Sequence, residues 1–155
     1  MHITTVGKPK KVSMKLCKDA IEFYGKHLLC KRLYEKIDLT LEFDASDLGS
    51  TVYGFCDWND DNHKARDFTI IVHPELHKKT MLTVLAHEMV HVKQFAMGEL
   101  MDNPSGKTAQ WKGKRVRIRD NDEGYWTTPW EIEAYGREQG LYKVFCSKLK
   151  EESKK

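Results

Sequence analysis

One segment of the chain carries both its strongest helical pattern and its most unusual group of polar residues. Apolar residues recur at spacings of three and four from about Lys79 to Met97, and Gly98 follows at a position typical of a helix C-terminus. Inside this segment stands His87-Glu88-Met89-Val90-His91. Side chains at i and i+4 project from the same helix face, so the fold must accommodate two imidazoles on one side of this helix.

The opposite side of the same helix is predicted to pack in a core. Its apolar stripe consists of Leu82, Leu85, Ala86, Met89 and Val92, and the stripe that carries the histidines consists of Thr80, Val84, His87, His91 and Gln94. The histidines can therefore face a cleft while the helix stays anchored.

Composition bounds the kind of protein. With 155 residues, 40% of them hydrophobic, the chain suits one domain over residues 1–155, with flexible ends at 1–11 and 148–155. No apolar run is long enough to span a bilayer, and the N-terminus lacks the apolar segment of a signal peptide. The four cysteines form no C-x-x-C pair. We expect a soluble, cytoplasmic protein without membrane contacts.

Hydrophobic periodicity predicts an α+β fold. A three-stranded antiparallel sheet is expected between an N-terminal helix and the histidine-bearing helix, followed by a second β-hairpin and a C-terminal helix that carries glutamates. The predicted elements are helix 13–36, strands 38–44, 51–58 and 68–73, helix 79–97, strands 110–118 and 124–127, and a helix from Pro129 past Phe145.

The spacing of the two histidines suits a zinc ion. Two imidazoles one helical turn apart can converge on one metal, at about 2.0–2.1 Å from each ring nitrogen. Glu88 then lies beside the metal without binding it, where a carboxylate can take a proton from metal-activated water. The motif therefore predicts Zn²⁺ bound by His87 and His91, with Glu88 as general base.

A third protein ligand must come from elsewhere in the chain. The extended pattern H-E-x-x-H-x-x-G-x-x-H fails, because Gln94 and Met97 occupy its last two positions. No histidine follows His91, so a downstream ligand must be a carboxylate. Glu131 and Glu133, at the start of the last predicted helix, are the candidates.

Helix-start chemistry separates these two glutamates. Thr128 and Glu131 fit a capping box with Pro129 at the first helical position, which gives Glu131 a structural role. Glu133 has no such role, and its stripe carries Gly136 and Gly140, which would let the helix lie close to the motif helix. The sequence therefore favours Glu133 as third ligand, with Glu131 as the second choice.

These motifs resemble a known family. The helix Leu85–His91, the strand 68–72 before it and the segment Pro129–Ala134 after it are similar to gluzincin-type zinc metallopeptidases, most of all to small SprT-like and minigluzincin proteins, some phage-encoded. The resemblance implies a zincin-like domain, protein or peptide substrates and, for a phage protein, the host cytoplasm. It also implies that residues 68–73 form the strand that borders the cleft and pairs with an extended peptide.

Further candidates concern the transition state. Side chains near the expected cleft that can donate to a developing oxyanion are Tyr125, Tyr135, Arg137 and His73. An alternative function remains open, in which the same zinc site only stabilises a catalytically silent module that binds nucleic acid or protein.

A basic segment precedes the last helix. Trp111, Lys112, Lys114, Arg115, Arg117 and Arg119 are candidates for contact with DNA. On one continuous strand, Trp111 and the three arginines would share a face that follows phosphates while the indole stacks on a base. A charged, solvent-exposed hairpin face is the alternative interpretation.

Overall fold

The computed structural model describes residues 1–46, 48, 52–61, 63–102, 106–118 and 122–154. This part of the chain forms five helices and two sheets, which confirms the predicted α+β class. Among its helices, none is both long and apolar enough to cross a bilayer. In chain order the elements are β1 His2–Val6, α1 Met14–Leu28, α2 Lys31–Tyr34, β2 Asp38–Phe43, β3 Gly54–Trp58, β4 Asp67–Val72, α3 Lys78–Met97, β5 Leu100–Asp102, β6 Thr108–Trp111, β7 Lys114–Arg117, α4 Asp122–Trp126 and α5 Pro129–Glu152.

The first sheet is mixed, with the strand order β1-β2-β4-β3. β1, β2 and β4 run parallel, whereas β3 pairs antiparallel with β4 at the edge. The three predicted strands therefore share one sheet, but the prediction that they are all antiparallel is wrong. Alternation of apolar and polar residues identifies a strand with one buried face and carries no information about strand direction.

The N-terminal residues extend this sheet. His2–Val6, for which the sequence predicts a flexible arm, pair in register with residues 38–42 of β2. The helices α1 and α2 provide the crossover that a parallel pair of strands requires. Ser13 begins α1 as predicted, since its hydroxyl accepts a hydrogen bond from the Leu16 amide at 3.2 Å.

The core lies between one face of the sheet and the helices α1 and α3. Alternate residues of β2 and β4 are buried, and α3 packs against α1, α5 and β3. Gly98 ends α3 in the left-handed conformation at φ 69°, as the sequence predicts. The buried apolar side chains of these elements include Tyr24, Leu39, Leu41, Phe68, Ile70, Leu82, Leu85 and Met89.

The second sheet differs from the predicted hairpin. β5, β6 and β7 form three antiparallel strands, with a turn at Lys112 and Gly113 inside the segment predicted as one strand, 110–118. Residues 122–126, which include part of the other predicted strand, form the short helix α4. Tyr125 and Trp126 favour strands by propensity, but this preference is easily overridden by the surroundings.

The glycines of α5 do not face α3, contrary to prediction. An added Cβ at Gly136 or Gly140 would meet no atom of the described chain within 4 Å, so both positions are open to solvent. α5 contacts the rest of the protein through its other side, where Ala134 and Phe145 are buried. Glycine therefore has no packing role at these two positions.

Replacing either glycine by alanine should stabilise the protein. Gly136→Ala and Gly140→Ala should each raise the free energy of unfolding by about 0.5–1 kcal/mol, because alanine loses less backbone entropy in a helix. Gly98→Ala, measured in the same denaturant titration, should lower it by about 1 kcal/mol because of its positive φ. Destabilisation by the α5 substitutions would show that this face of the helix is covered.

Candidate metal centre

The motif residues lie in the middle of α3, between the sheet and α5. His87 and His91 project from one side of the helix, with their Nε2 atoms 3.1 Å apart. Both imidazoles are almost fully buried, with 7% and 9% of each residue exposed. The two Nε2 atoms therefore face each other inside the protein, as the i, i+4 spacing predicts.

Glu131, in the first turn of α5, completes the group. Its Oε2 lies 3.3 Å from Nε2 of His87, and its Oε1 lies 3.4 Å from Nε2 of His91. Three ligands at 2.0–2.1 Å from a tetrahedral ion would be separated by about 3.3–3.4 Å. The two Nε2 atoms are 3.1 Å apart and each faces a different oxygen of Glu131, so the donor atoms lie close to that separation without reproducing it. Among the described residues, one donor atom from each of the three lies within 4.8 Å of the others, so the group could hold one metal ion.

The hydrogen bonding of Glu131 supports the same fit. Its Oε2 is buried and has no hydrogen-bond partner in the described part of the chain. A buried carboxylate oxygen without a donor is costly, since nothing replaces the water that it loses. A cation between the carboxylate and the imidazoles would compensate this charge.

The structure places Glu131, the second choice for the third ligand, beside the two histidines, and places Glu133, the first choice, against Lys93. Thr128 precedes α5, but no capping box forms, because its hydroxyl donates to the Tyr125 carbonyl at 2.9 Å. Glu131 is therefore free to enter the site. Glu133 instead contacts Lys93 Nζ and Arg137 Nη2, each at 3.1 Å. The Glu133 and Arg137 pair at i, i+4 is the sequence signal that could have identified this role.

Each histidine has a polar partner on its other ring nitrogen. His87 Nδ1 lies 3.0 Å from Oε2 of Glu138, and His91 Nδ1 lies 2.9 Å from Oε1 of Gln94. With Nδ1 protonated, both rings donate to these oxygens and keep their Nε2 lone pairs for a metal. Glu138 is not among the residues predicted from the sequence; it lies two turns after Glu131 on the same side of α5.

Glu133 supports the centre indirectly. Gln94 donates through Nε2 to Oε2 of Glu133 and to the Trp130 carbonyl, both at 3.0 Å, and this fixes the amide that faces His91. Lys93, only 7% exposed, lies between Glu133 and Glu99, with its Nζ 2.6 Å from the latter. Burial would raise the pKa of Glu133, but the Gln94 and Lys93 contacts outweigh it and lower that pKa.

Burial also sets the protonation of the motif residues. It raises the pKa of Glu88, 5% exposed, to about 7, and nearby Glu131 and Glu138 act in the same direction. Burial disfavours charge on His87, but Glu131 and Glu138 outweigh it and raise its pKa to about 9. The pKa of His91 is lowered, chiefly by burial. Glu88 therefore combines a position beside the imidazoles with a pKa near neutrality.

A cleft of about 750 Å³ opens onto the centre. It is bordered by residues 52–54, by α3 and by the aromatic side chains of α4 and α5. Its lining residues are Val52, Tyr53, Gly54, Lys79, Thr80, Thr83, Val84, His87, Glu88, Tyr125, Trp126, Tyr135, Glu138 and Gln139. The strand at the cleft is β3, so the expectation for residues 68–73 is corrected: β4 lies inside the sheet, between β2 and β3.

Two of the four candidate hydrogen-bond donors to the oxyanion line this cleft. Tyr125 and Tyr135 line it, and the Tyr135 ring centroid is 4.5 Å from that of His87. Arg137 is paired with Glu133 and does not line the cleft. His73 lies in a separate hollow of about 300 Å³, where its Nδ1 accepts a hydrogen bond from the Glu75 amide.

The basic candidates do not share one face. The turn after Trp111 pairs that residue with Lys114, so the indole projects from the side opposite to Arg115 and Arg117. Trp111 packs near Trp130, with ring centroids 6.3 Å apart, and Lys112 Nζ lies 4.6 Å from the Trp111 ring. Lys114, Arg115 and Arg117 are exposed, while Arg119 lies outside the described residues. Trp111 therefore cannot stack on a base on the same face on which Arg115 and Arg117 would contact phosphates.

Comparisons of the chain with protein-family models, with curated proteins and with solved structures find no match. The resemblance to gluzincin-type peptidases therefore depends on the residues of the chain itself. The inference on function must accordingly be made from the geometry of the centre and its cleft.

Metal affinity can distinguish the two glutamates. Glu131→Gln should weaken Zn²⁺ binding by more than about 100-fold, because it removes a ligand, whereas Glu133→Gln should weaken it by about tenfold through Gln94. Competition with a chromophoric chelator measures both constants. A larger loss in Glu133→Gln would return the ligand role to Glu133.

Proposed function

We propose that the protein is a zinc-dependent metallopeptidase with a zincin-like active site, acting on protein or peptide substrates in the cytoplasm. The observation that carries the proposal is the group of His87, His91 and Glu131, with Glu88 beside it and an open cleft in front of it. Structural zinc sites are usually closed by four protein ligands, whereas catalytic sites keep one position open. A group of three such residues, of which His87 lines a cleft together with Glu88, favours catalysis.

The residues have separable roles in this proposal. His87, His91 and Glu131 would hold Zn²⁺, which when bound supplies Lewis-acid activation of water and of a carbonyl group. Glu88 takes a proton from the attacking water and passes it to the leaving amine. Tyr135, whose ring lies beside His87, would donate through its hydroxyl to the developing oxyanion.

The edge strand offers a place for the peptide backbone. Among the described strands, β3 pairs only with β4, so its other edge could pair with a substrate in extended conformation. A methyl group at Gly54 would lie 2.5 Å from Val84 Cγ1 and 3.1 Å from Glu88 Oε1. The absence of a side chain here thus allows the strand to start close to the general base.

The decisive variant is Glu88→Gln. It should keep one Zn²⁺ per chain and lose at least about 100-fold in the rate of peptide hydrolysis, because the general base is removed while the ligands remain. Zinc content and cleavage of an unfolded protein such as casein, followed by mass spectrometry, measure the two properties.

The controls separate an enzyme from a silent zinc module. Chelator should stop cleavage by the wild-type protein, and added Zn²⁺ should restore it. Full turnover in Glu88→Gln would remove the general-base assignment. A wild-type protein that binds zinc but cleaves nothing would favour the module that only binds nucleic acid or protein.

Contact with DNA is a second candidate function, favoured by the exposure of Arg115 and Arg117 on one side of the hairpin. If the protein binds DNA here, the double variant Arg115→Ala/Arg117→Ala should bind a labelled single strand more weakly. The slope of log affinity against log salt concentration should also fall by the amount expected for the loss of about two phosphate contacts. Fluorescence anisotropy between about 50 and 200 mM salt measures both. Unchanged binding in the double variant would exclude this hairpin face.

A further inference from the structure

The wall of the cleft formed by α4 and α5 is a continuous series of aromatic rings. Starting at the metal centre, the centroids of His87 and Tyr135 are 4.5 Å apart, those of Tyr135 and Trp126 are 5.1 Å apart, and those of Trp126 and Tyr125 are 5.4 Å apart. Trp126 is nevertheless 53% exposed and Tyr135 41% exposed. Exposed aromatic side chains that line a cleft typically mark a binding site.

The opposite wall is also apolar at its rim. Val52 and Tyr53 precede β3 and line the same cleft, and Tyr53 is 53% exposed. Val84 of α3 lies between the walls, close to Gly54. A side chain that enters between the walls would therefore exchange water for apolar surface on several sides.

Charges at the inner end of the cleft select against acidic side chains. Glu88 and Glu138 both line it beside His87, and a carboxylate that entered would face both. Lys79 also lines the cleft, but it precedes His87 by eight residues, about 12 Å along α3. A basic side chain would face these carboxylates favourably but would lose hydration of its charge between the apolar walls, whereas an aromatic or large aliphatic side chain has no charge to desolvate.

We propose that the space between Tyr53 and the pair Trp126 and Tyr135 is a subsite for a large apolar or aromatic substrate side chain. An extended peptide advances about 3.3–3.6 Å per residue, so two ring spacings place this subsite within about three residues of the scissile bond. The inference rests on the proposed peptidase function and specifies its substrate class.

Direct binding tests the subsite without requiring turnover. The probes are fluorescein-labelled peptides of alternating alanine and serine that differ only in a central phenylalanine, alanine or glutamate. Fluorescence anisotropy with zinc-loaded Glu88→Gln protein should show the phenylalanine peptide binding on the order of tenfold more tightly than the alanine peptide. The glutamate peptide should bind no more tightly than the alanine peptide, because its carboxylate would lose hydration between the apolar walls and would still face Glu138 in this variant.

Variants on the two walls locate the preference. Trp126→Ala and Tyr53→Ala, each made in the Glu88→Gln protein, should reduce the preference for phenylalanine to less than about threefold. Phe55→Ala is the matched control, because Phe55 is an equally exposed aromatic residue on β3 that does not line the cleft. The Phe55→Ala variant should keep the same preference for the phenylalanine peptide as the Glu88→Gln protein.

The outcomes separate this inference from the proposed function. Equal affinity for the phenylalanine and alanine peptides, failure to bind either, or a preference that survives both wall variants would overturn the subsite. Cleavage by the wild-type protein without such a preference would leave the peptidase and reject the subsite. A preference that depends on both walls, in a protein that cleaves nothing, would support the subsite and reject the peptidase.

Discussion

The contact of Glu131 with two imidazole nitrogens, at 3.3 and 3.4 Å, joins α5 to α3 inside the protein. A carboxylate in this position loses its hydration, and its Oε2 gains no hydrogen bond among the described residues. Positive charge between these groups, either as a proton on His87 or as a cation, would compensate this loss. Metal affinity and the docking of α5 should consequently be linked, as in other proteins whose ligands come from separate elements.

The polar groups behind the ligands make this arrangement specific. Glu138 and Gln94 orient the imidazoles of His87 and His91. Glu133 accepts a hydrogen bond from Gln94 and also pairs with the buried amine of Lys93. Burial of a lysine without partners would be strongly unfavourable, so Glu99 and Glu133 are both needed. Such a network fixes the register of α5 against α3, because a shift of one residue would break several contacts at once. Contacts of the neighbouring residues thus hold Glu131 beside the two histidines.

The sequence predicts those parts of the molecule that depend on local patterns. The bounds of α3, the Ser13 cap, the Gly98 terminus and the histidine pair all follow from spacing within one helix. Strand direction and the choice between two glutamates depend on contacts with distant residues. The capping argument for Glu131 uses only residues 128–131, whereas its actual partners are 40 or more residues away on α3. Strand direction and the position of Glu131 are therefore set by contacts between residues far apart in the sequence, which local sequence patterns do not reveal.

The error at α4 has a consequence for the cleft. Tyr125 and Trp126 favour a strand, but the hydroxyl groups of Thr127 and Thr128 donate to the carbonyls of Glu123 and Tyr125, at 2.6 and 2.9 Å. These bonds satisfy carbonyls at the end of the short helix before Pro129 starts α5. A strand would alternate the two aromatic side chains across its faces, whereas in the helix the Tyr125 and Trp126 rings lie 5.4 Å apart and Trp126 lies 5.1 Å from Tyr135. The hydrogen bonds of the two threonines thus contribute to holding the helix that carries the aromatic wall of the cleft.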